Sequence, residues 1–432
     1  MKPLSSEVPV PAVGEESWRY RGWLVVIASM VALMFGPSTV AVLSLGLFIK
    51  PLEVDFGWSR TEIALASSIV SYTVMLISPI QGYLADRFGA RAIILPCIPL
   101  FCAAVGLMYF MPPVPWLYYA AWVALPAIGI GIFPLSYLRV VSSWFDRRLG
   151  LAIGIANAGI GIGGAVIALL IGTVIAQHGW RTGFLGLAAL VALTLPLAFF
   201  FIREKPGTEP RKGRTQSVPG VDFHVAVRSR SFKLLIGIFA LLGVINTAMV
   251  VHQIPMLIDA GVTAQRAALV QATFGIFVIV GRLLTGLLID YLSAALVMCA
   301  LVLGGTVACA LYAYGVSGNV VFLCAALLGM VLGAEFDVLS YLLKRYFGMR
   351  AFGKLYGVIF AVFQFGAGAG AALLPIMRQA SGSYRSGLLT FSAATLVCAW
   401  LLVLLYRGGR TAQVPGHSPH SHLPQGNPCS KT

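Results

Sequence analysis

Apolar runs of at least 18 residues recur twelve times along this chain, and few arrangements accommodate that pattern. Each run is long enough, at about 1.5 Å per helical residue, to cross a hydrocarbon core about 30 Å thick. They fall at roughly 23–49, 61–83, 91–111, 116–142, 149–176, 182–202, 232–257, 266–289, 294–314, 319–343, 353–377 and 385–406. These are helix-length segments, unlike the short alternating strands of an outer-membrane barrel. Only 10% of the 432 residues are charged and 59% are hydrophobic, a composition that excludes a water-soluble globular domain. The expected fold is an all-α membrane protein with twelve transmembrane helices, the first of them retained rather than cleaved as a signal.

A formal net charge of +15 raises the question of nucleic acid, but the placement of the cations answers it. The N-terminal tail, the even-to-odd loops and the C-terminal tail hold most of the 30 Lys and Arg, whereas the opposite loops hold six: Lys50, Arg60, Arg181, Arg266, Arg378 and Arg385. The positive-inside rule then puts both termini in the cytoplasm and the chain in the cell membrane, with the lipid bilayer and not nucleic acid as its surroundings. Seven cysteines are odd in number, and six lie in apolar spans without CxxC spacing, so they read as small buried hydrophobes.

Repetition divides the chain. Gly82 and Asp86 recur as Gly286 and Asp290 at an offset of 204, Trp144-Phe145 as Tyr346-Phe347 at 202, and Gly154 as Gly357 at 203. An echo at half the chain length predicts two pseudo-symmetric six-helix halves related by an axis along the membrane normal. The expected domains are a tail at 1–22, bundles at 23–202 and 232–406, a basic linker at 203–231 and a tail at 407–432. Pro37 predicts a kink in the first helix, and Ser59 with Glu62 a capping box opening the second.

Charge inside an apolar span marks function. Arg282 lies eight residues before Asp290, about 12 Å from the end of its helix and so near mid-membrane. Glu335 and Asp337 reach a similar depth in the tenth span, and one of them is expected to pair with Arg282 until substrate binds. Residues two apart point about 200° away from each other, so both carboxylates cannot face the cavity centre. Asp337 shares a face with Tyr341 and Arg345 and is assigned to structural pairing, leaving Glu335 as the better protonatable group; both are carried as proton-coupling candidates. Arg282, Asn246, His252, Gln364 and Tyr341 are the candidate substrate contacts, and Gly82, Asp86, Arg87, Gly286 and Asp290 the candidate gate. A lone histidine such as His252 is more often a packing residue. Tyr118 and Tyr119 are expected in the interfacial belt, and Arg139 is expected to snorkel.

The repeated Gly-to-Asp loops and the six-plus-six layout resemble the major facilitator superfamily over residues 20–406. The Phe56-Gly57-Trp58-Ser59 loop, the Trp144-Phe145-Asp146-Arg147-Arg148-Leu149-Gly150-Leu151-Ala152 run, and Arg282 four residues before Gly286 resemble the monocarboxylate transporter and oxalate/formate antiporter families. That resemblance implies that Arg282 holds a substrate carboxylate. Two positions depart from it. Animal monocarboxylate transporters carry an aspartate one turn before the arginine, where this chain has Val278, so proton coupling needs another group. The oxalate carriers place a lysine inside the eleventh helix, where this chain has Gln364 and keeps Lys354 at the helix end. One intramembrane cation instead of two favours a monoanion.

The expected activity is secondary transport of a small organic monoanion by alternating access, coupled to protons. The alternatives are proton-driven efflux of a hydrophobic compound and a non-transporting sensor on the same scaffold. Gly348 to Lys354 matches the first seven places of a phosphate-binding loop, but Leu355 replaces its Ser/Thr and no strand precedes it. His417, His420 and His422 read as part of a disordered tail, no cofactor or metal is expected, and the absence of a catalytic constellation argues against an enzyme.

Overall fold

The computed structural model describes residues 14–17, 19–205, 220–315 and 318–409. Most of the two expected tails and the middle of the basic linker, with His417, His420 and His422, lie outside these residues. Among the described residues, eleven continuous helices are long and apolar enough to cross a membrane. One of them, Leu149–Phe201, contains 53 residues and breaks at Gly179 (φ 83°, ψ 166°). Only glycine adopts such a backbone readily, and the break divides the stretch into two crossings, for twelve in all. In chain order these are α1 (Arg21–Phe56), α2 (Arg60–Phe88), α3 (Ala90–Phe110), α4 (Pro115–Trp144), α5 (149–178), α6 (180–201), α7 (Arg230–Asp259), α8 (Ala264–Tyr291), α9 (Ala294–Ala313), α10 (Val320–Phe347), α11 (Phe352–Ser381) and α12 (Arg385–Gly409).

Local sequence explains the irregularities. Pro37 ends the first regular segment of α1 after Met34, and a π turn over Ser38–Leu43 follows before regular helix resumes at Leu45. Ser59 accepts from the Glu62 N–H while the Glu62 carboxylate accepts from the Ser59 N–H, completing the capping box of α2. Tyr118 differs from the belt expectation: it is buried and its hydroxyl donates to Ile63 O at 3.2 Å, while the half-buried Tyr119 beside it donates to Glu62 O at 3.2 Å. They tie α4 to the start of α2 because a phenol under apolar packing needs an acceptor.

Packing repeats between the halves. Helix α1 lies on α5 as α7 lies on α11, while two seams join the halves, α2 with α11 and α5 with α8. Both seams depend on glycine. A Cβ on Gly286 would come 2.6 Å from Gly150 O, and one on Gly353 would come 2.6 Å from Gly82 O, so neither seam tolerates a side chain there.

The apolar cores show where the halves are joined. One buried cluster contains Trp23, Leu138, Phe145 and Ile153 from the first half with Ile289, Leu339, Phe352 and Ile359 from the second. Two others stay within single halves: one includes Phe48, Ile63 and Trp122, the other Met249, Phe274 and Phe391. The mixed core lies toward the end that carries the chain termini, and the opposite ends pack separately. This is a clamshell closed at the terminal end.

Candidate functional site

The closed end is held by backbone groups meeting carboxylates. Asp86, at the end of α2, accepts from Gly353 N and Lys354 N, both at 2.9 Å, and so caps α11 in the other half. Asp290, at the end of α8, accepts from Gly150 N at 2.6 Å and Leu151 N at 3.0 Å and caps α5. The first N–H groups of a helix have no intrahelical partner and carry its positive dipole end, so an anion there is doubly favoured. The repeated Gly-to-Asp loops thus bring their aspartates to equivalent places on opposite halves.

The candidate gate is not symmetric around those aspartates. Asp86 also pairs with Arg139, whose Nε lies 3.1 Å from Glu204 Oε1, and Glu204 in turn caps Ala90 N at 3.1 Å. Arg139 is only 2% exposed, so it does not snorkel: two carboxylates draw it into the protein. Arg87 stands outside this network, exposed, with its guanidinium on Tyr83 and Phe88.

A second clasp forms at the turn between α4 and α5. Lys344 of α10 donates to Ser142 O (2.6 Å) and Phe145 O and pairs with Asp146 at 2.7 Å. A cation at the carbonyl end of α4 complements that helix's dipole. Arg345 reaches Asp146 O, while Glu15 accepts from the N–H groups of Asp146, Arg147 and Arg148 at 2.8 to 3.2 Å. Partial burial works against ionisation of Asp146, but Lys344, Arg345 and Lys205 outweigh it and hold the carboxyl below its ordinary 3.8.

Midway along the bundle sits the intramembrane charge cluster. Arg282 has a side chain 12% exposed and lies 3.9 Å from Asp337 Oδ1, too far for a direct hydrogen bond. Asp337 instead accepts from Asn157 Nδ2 of α5 at 2.6 Å, across the seam between halves. Glu335 points the other way and accepts from Asn246 Nδ2 of α7 at 2.7 Å. Both carboxylates are fully buried, and each keeps one oxygen without a hydrogen bond, as does Asn157 Oδ1.

The structure therefore brings Arg282, Asp337 and Asn157 together, and Glu335 with Asn246. The other candidates stand apart from that cluster in their contacts. A His252 ring nitrogen is 2.8 Å from Ala371 O, joining α7 to α11 within the second half. Tyr341 is half-buried under the Arg345 guanidinium, 5.1 Å from its ring, near the closed end, and Gln364 is half-buried on α11. Sequence reasoning missed Asn157, Glu204, Lys344 and Glu15. Asn157 carried a usable signal, being an amide in an otherwise apolar, glycine-rich helix where an unpaired polar group is costly.

Twelve membrane crossings in two joined halves, closed at one end around an internal charge cluster, define a multi-pass membrane transporter. The sequence profile of the Major Facilitator Superfamily matches residues 23–336, and the chain belongs to that family. Among its relatives, monocarboxylate transporter 11 of Homo sapiens is 24% identical over 423 residues, 94% of this chain and 87% of that protein. Monocarboxylate transporter 12 of Xenopus laevis is 24% identical over 294 residues, 62% of each chain. The E. coli fucose:proton symporter FucP superposes with a TM-score of 0.69 at 16% identity, covering 88% of this chain and 99% of that one, which shows the shared fold.

Proposed function

We propose that the protein is a secondary active transporter moving a small organic monoanion, of the monocarboxylate kind, across the cell membrane by alternating access coupled to protons. The observation that carries this reading is Arg282, an almost buried guanidinium at mid-membrane that has no carboxylate within hydrogen-bond distance among the described residues and only Asp337, at 3.9 Å, within ion-pair distance. A charge there is costly unless it meets an opposite charge, and a substrate carboxylate supplies one, bidentate and planar like the guanidinium itself. Monocarboxylate transporters among the relatives support the same class of ligand.

Glu335 and Asp337 serve charge compensation. Glu335 has an amide partner and no cation within ion-pair distance among the described residues, so a proton is the counterpart available to it. Asp337 is the carboxylate nearest Arg282. With cytoplasmic termini, inferred from the positive loops, the closed end faces the cytoplasm and the described conformation opens outward. Residues 23–202 and 232–406 then rock against each other as two bodies, and Asp86 and Asp290 release their caps as the inner end opens.

The test is uptake of labelled mono- and dicarboxylates into proteoliposomes, with and without an imposed pH gradient. Monoanion uptake should rise with an inward proton gradient and disappear in Arg282→Gln. Uptake that persists in that variant would remove Arg282 from the substrate site.

A further inference from the structure

We infer that Asn157 is a positioning residue that holds Asp337 off Arg282 while the inner end is closed, and so makes the affinity of the anion site depend on the position of the two halves. The inference rests on Arg282 being the anion site. It extends that reading to a residue in the opposite half that does not touch the substrate.

Asp337 has two suitors. Arg282 stands on α8, in the same half, and Asn157 on α5, in the other. A guanidinium and a carboxylate beside each other in a low-dielectric interior are expected to close to a direct charge-assisted contact, about 2.7–2.9 Å. They stand 3.9 Å apart. The same Oδ1 atom accepts from the Asn157 amide at 2.6 Å, while Oδ2 has no hydrogen bond. Asn157 is 1% exposed and cannot turn to water instead.

Its position is fixed by the seam. One turn earlier, Gly154 brings the α5 backbone against α8 so closely that a Cβ there would lie 2.7 Å from the carbonyl oxygen of Arg282 itself. Helix α5 therefore cannot leave α8 without withdrawing Asn157 from Asp337. Once it does, Arg282 is the cation left within ion-pair distance of Asp337.

The cycle follows from geometry. While the inner end is closed, Asn157 occupies Asp337, and Arg282 is left to a carboxylate entering from outside. When the inner end opens, Asp337 is released to compete for Arg282, and the bound anion is displaced inward. Affinity is high on one side and low on the other because one aspartate changes partners.

The test uses the full chain in proteoliposomes with radiolabelled pyruvate as probe. Asn157→Leu should raise KM for external pyruvate on the order of tenfold, the worth of one hydrogen bond to a charged group, because Asp337 then competes throughout. In an Asp337→Asn background the same substitution should leave KM unchanged, since no carboxylate remains to compete. A purely structural role for Asn157 would raise KM, or lower Vmax, alike in both backgrounds and would overturn the inference. Arg282→Gln separates the two readings: pyruvate uptake surviving it refutes the anion site, whereas uptake lost with Arg282→Gln but indifferent to Asn157→Leu refutes only the role of Asn157. A second arm needs no transported probe. With spin labels at Phe88→Cys and Tyr291→Cys, both Asn157→Leu and Asn157→Ser should raise the fraction of long inter-half distances, and an unchanged distribution would overturn the coupling.

Discussion

Asp290→Asn should open the inner end. The carboxylate accepts from two N–H groups of α5, at 2.6 and 3.0 Å. An amide can accept from only one of them and turns its own NH2 toward the other. One charge-assisted hydrogen bond is lost, worth about 1.5–3 kcal/mol, with a helix-dipole contribution of about 0.3–1 kcal/mol. All of this stabilises the closed state alone, because the cap spans two halves. A loss of about 2 kcal/mol shifts the closed-to-open ratio about 30-fold. Ser142 is fully buried beneath the Lys344 clasp, so Ser142→Cys in a background without native cysteines reports opening through its alkylation rate. That rate should rise about 30-fold in Asp290→Asn, and the melting temperature should fall by no more than the same loss of about 2 kcal/mol accounts for.

Asp86→Asn provides the contrast. It loses an equivalent cap on α11 but also weakens the buried contact with Arg139, leaving Glu204 as that guanidinium's remaining carboxylate. Breaking one partner out of a buried ion pair costs about 3–5 kcal/mol. Asp86 and Arg139 belong to the first half and Glu204 follows directly on its last helix, so this cost falls on open and closed states alike. It should therefore appear as a lower melting temperature in addition to faster alkylation. Equal melting temperatures for the two variants, or an Asp290→Asn rate like that of the parent, would refute the reasoning.

Gly286→Ala places a methyl group 2.6 Å from Gly150 O, a backbone atom that cannot rotate away, and overpacking of about 1–3 kcal/mol should push the α5–α8 seam apart and raise the Ser142→Cys alkylation rate. Lys344→Met removes the cation from the carbonyl end of α4, and the same reporter should quicken, by less in a background that already carries Asp146→Asn. Asp146 has its carboxyl held below 3.8, so its share of the closed state's stability is complete above that value and is lost as pH falls through the lowered pKa. Closure measured by alkylation should accordingly show no step from Asp146 between pH 5 and 8, and a step under more acid conditions that Asp146→Asn abolishes.

The twelve spans, the kink at Pro37 and the Ser59 cap were legible because each depends on residues adjacent in sequence. The paired Gly-to-Asp loops were legible because the chain states them twice. Asp337 and Glu335 could be separated by helical angle, which assigns them to different faces but does not say what each face meets. That depends on the seam: α5 brings Asn157 to Asp337, so the carboxylate assigned to structural pairing is also the one nearest Arg282. Arg139 escaped for the same reason. Its position near a helix end suggested access to water, but Glu204, 65 residues later, folds back over it.

The turn at 145–148 bears on how the chain is assembled during synthesis. Its N–H groups at 146–148 are capped by Glu15, made more than 130 residues earlier, so they can be satisfied as soon as the turn emerges. The next two, at 150 and 151, must wait for Asp290, and the carbonyls of Ser142 and Phe145 must wait for Lys344. Halves of a chain this size fold in order of synthesis. The first bundle therefore enters the membrane with its half of the gate already shaped by its own tail, and the second bundle arrives as the bolt.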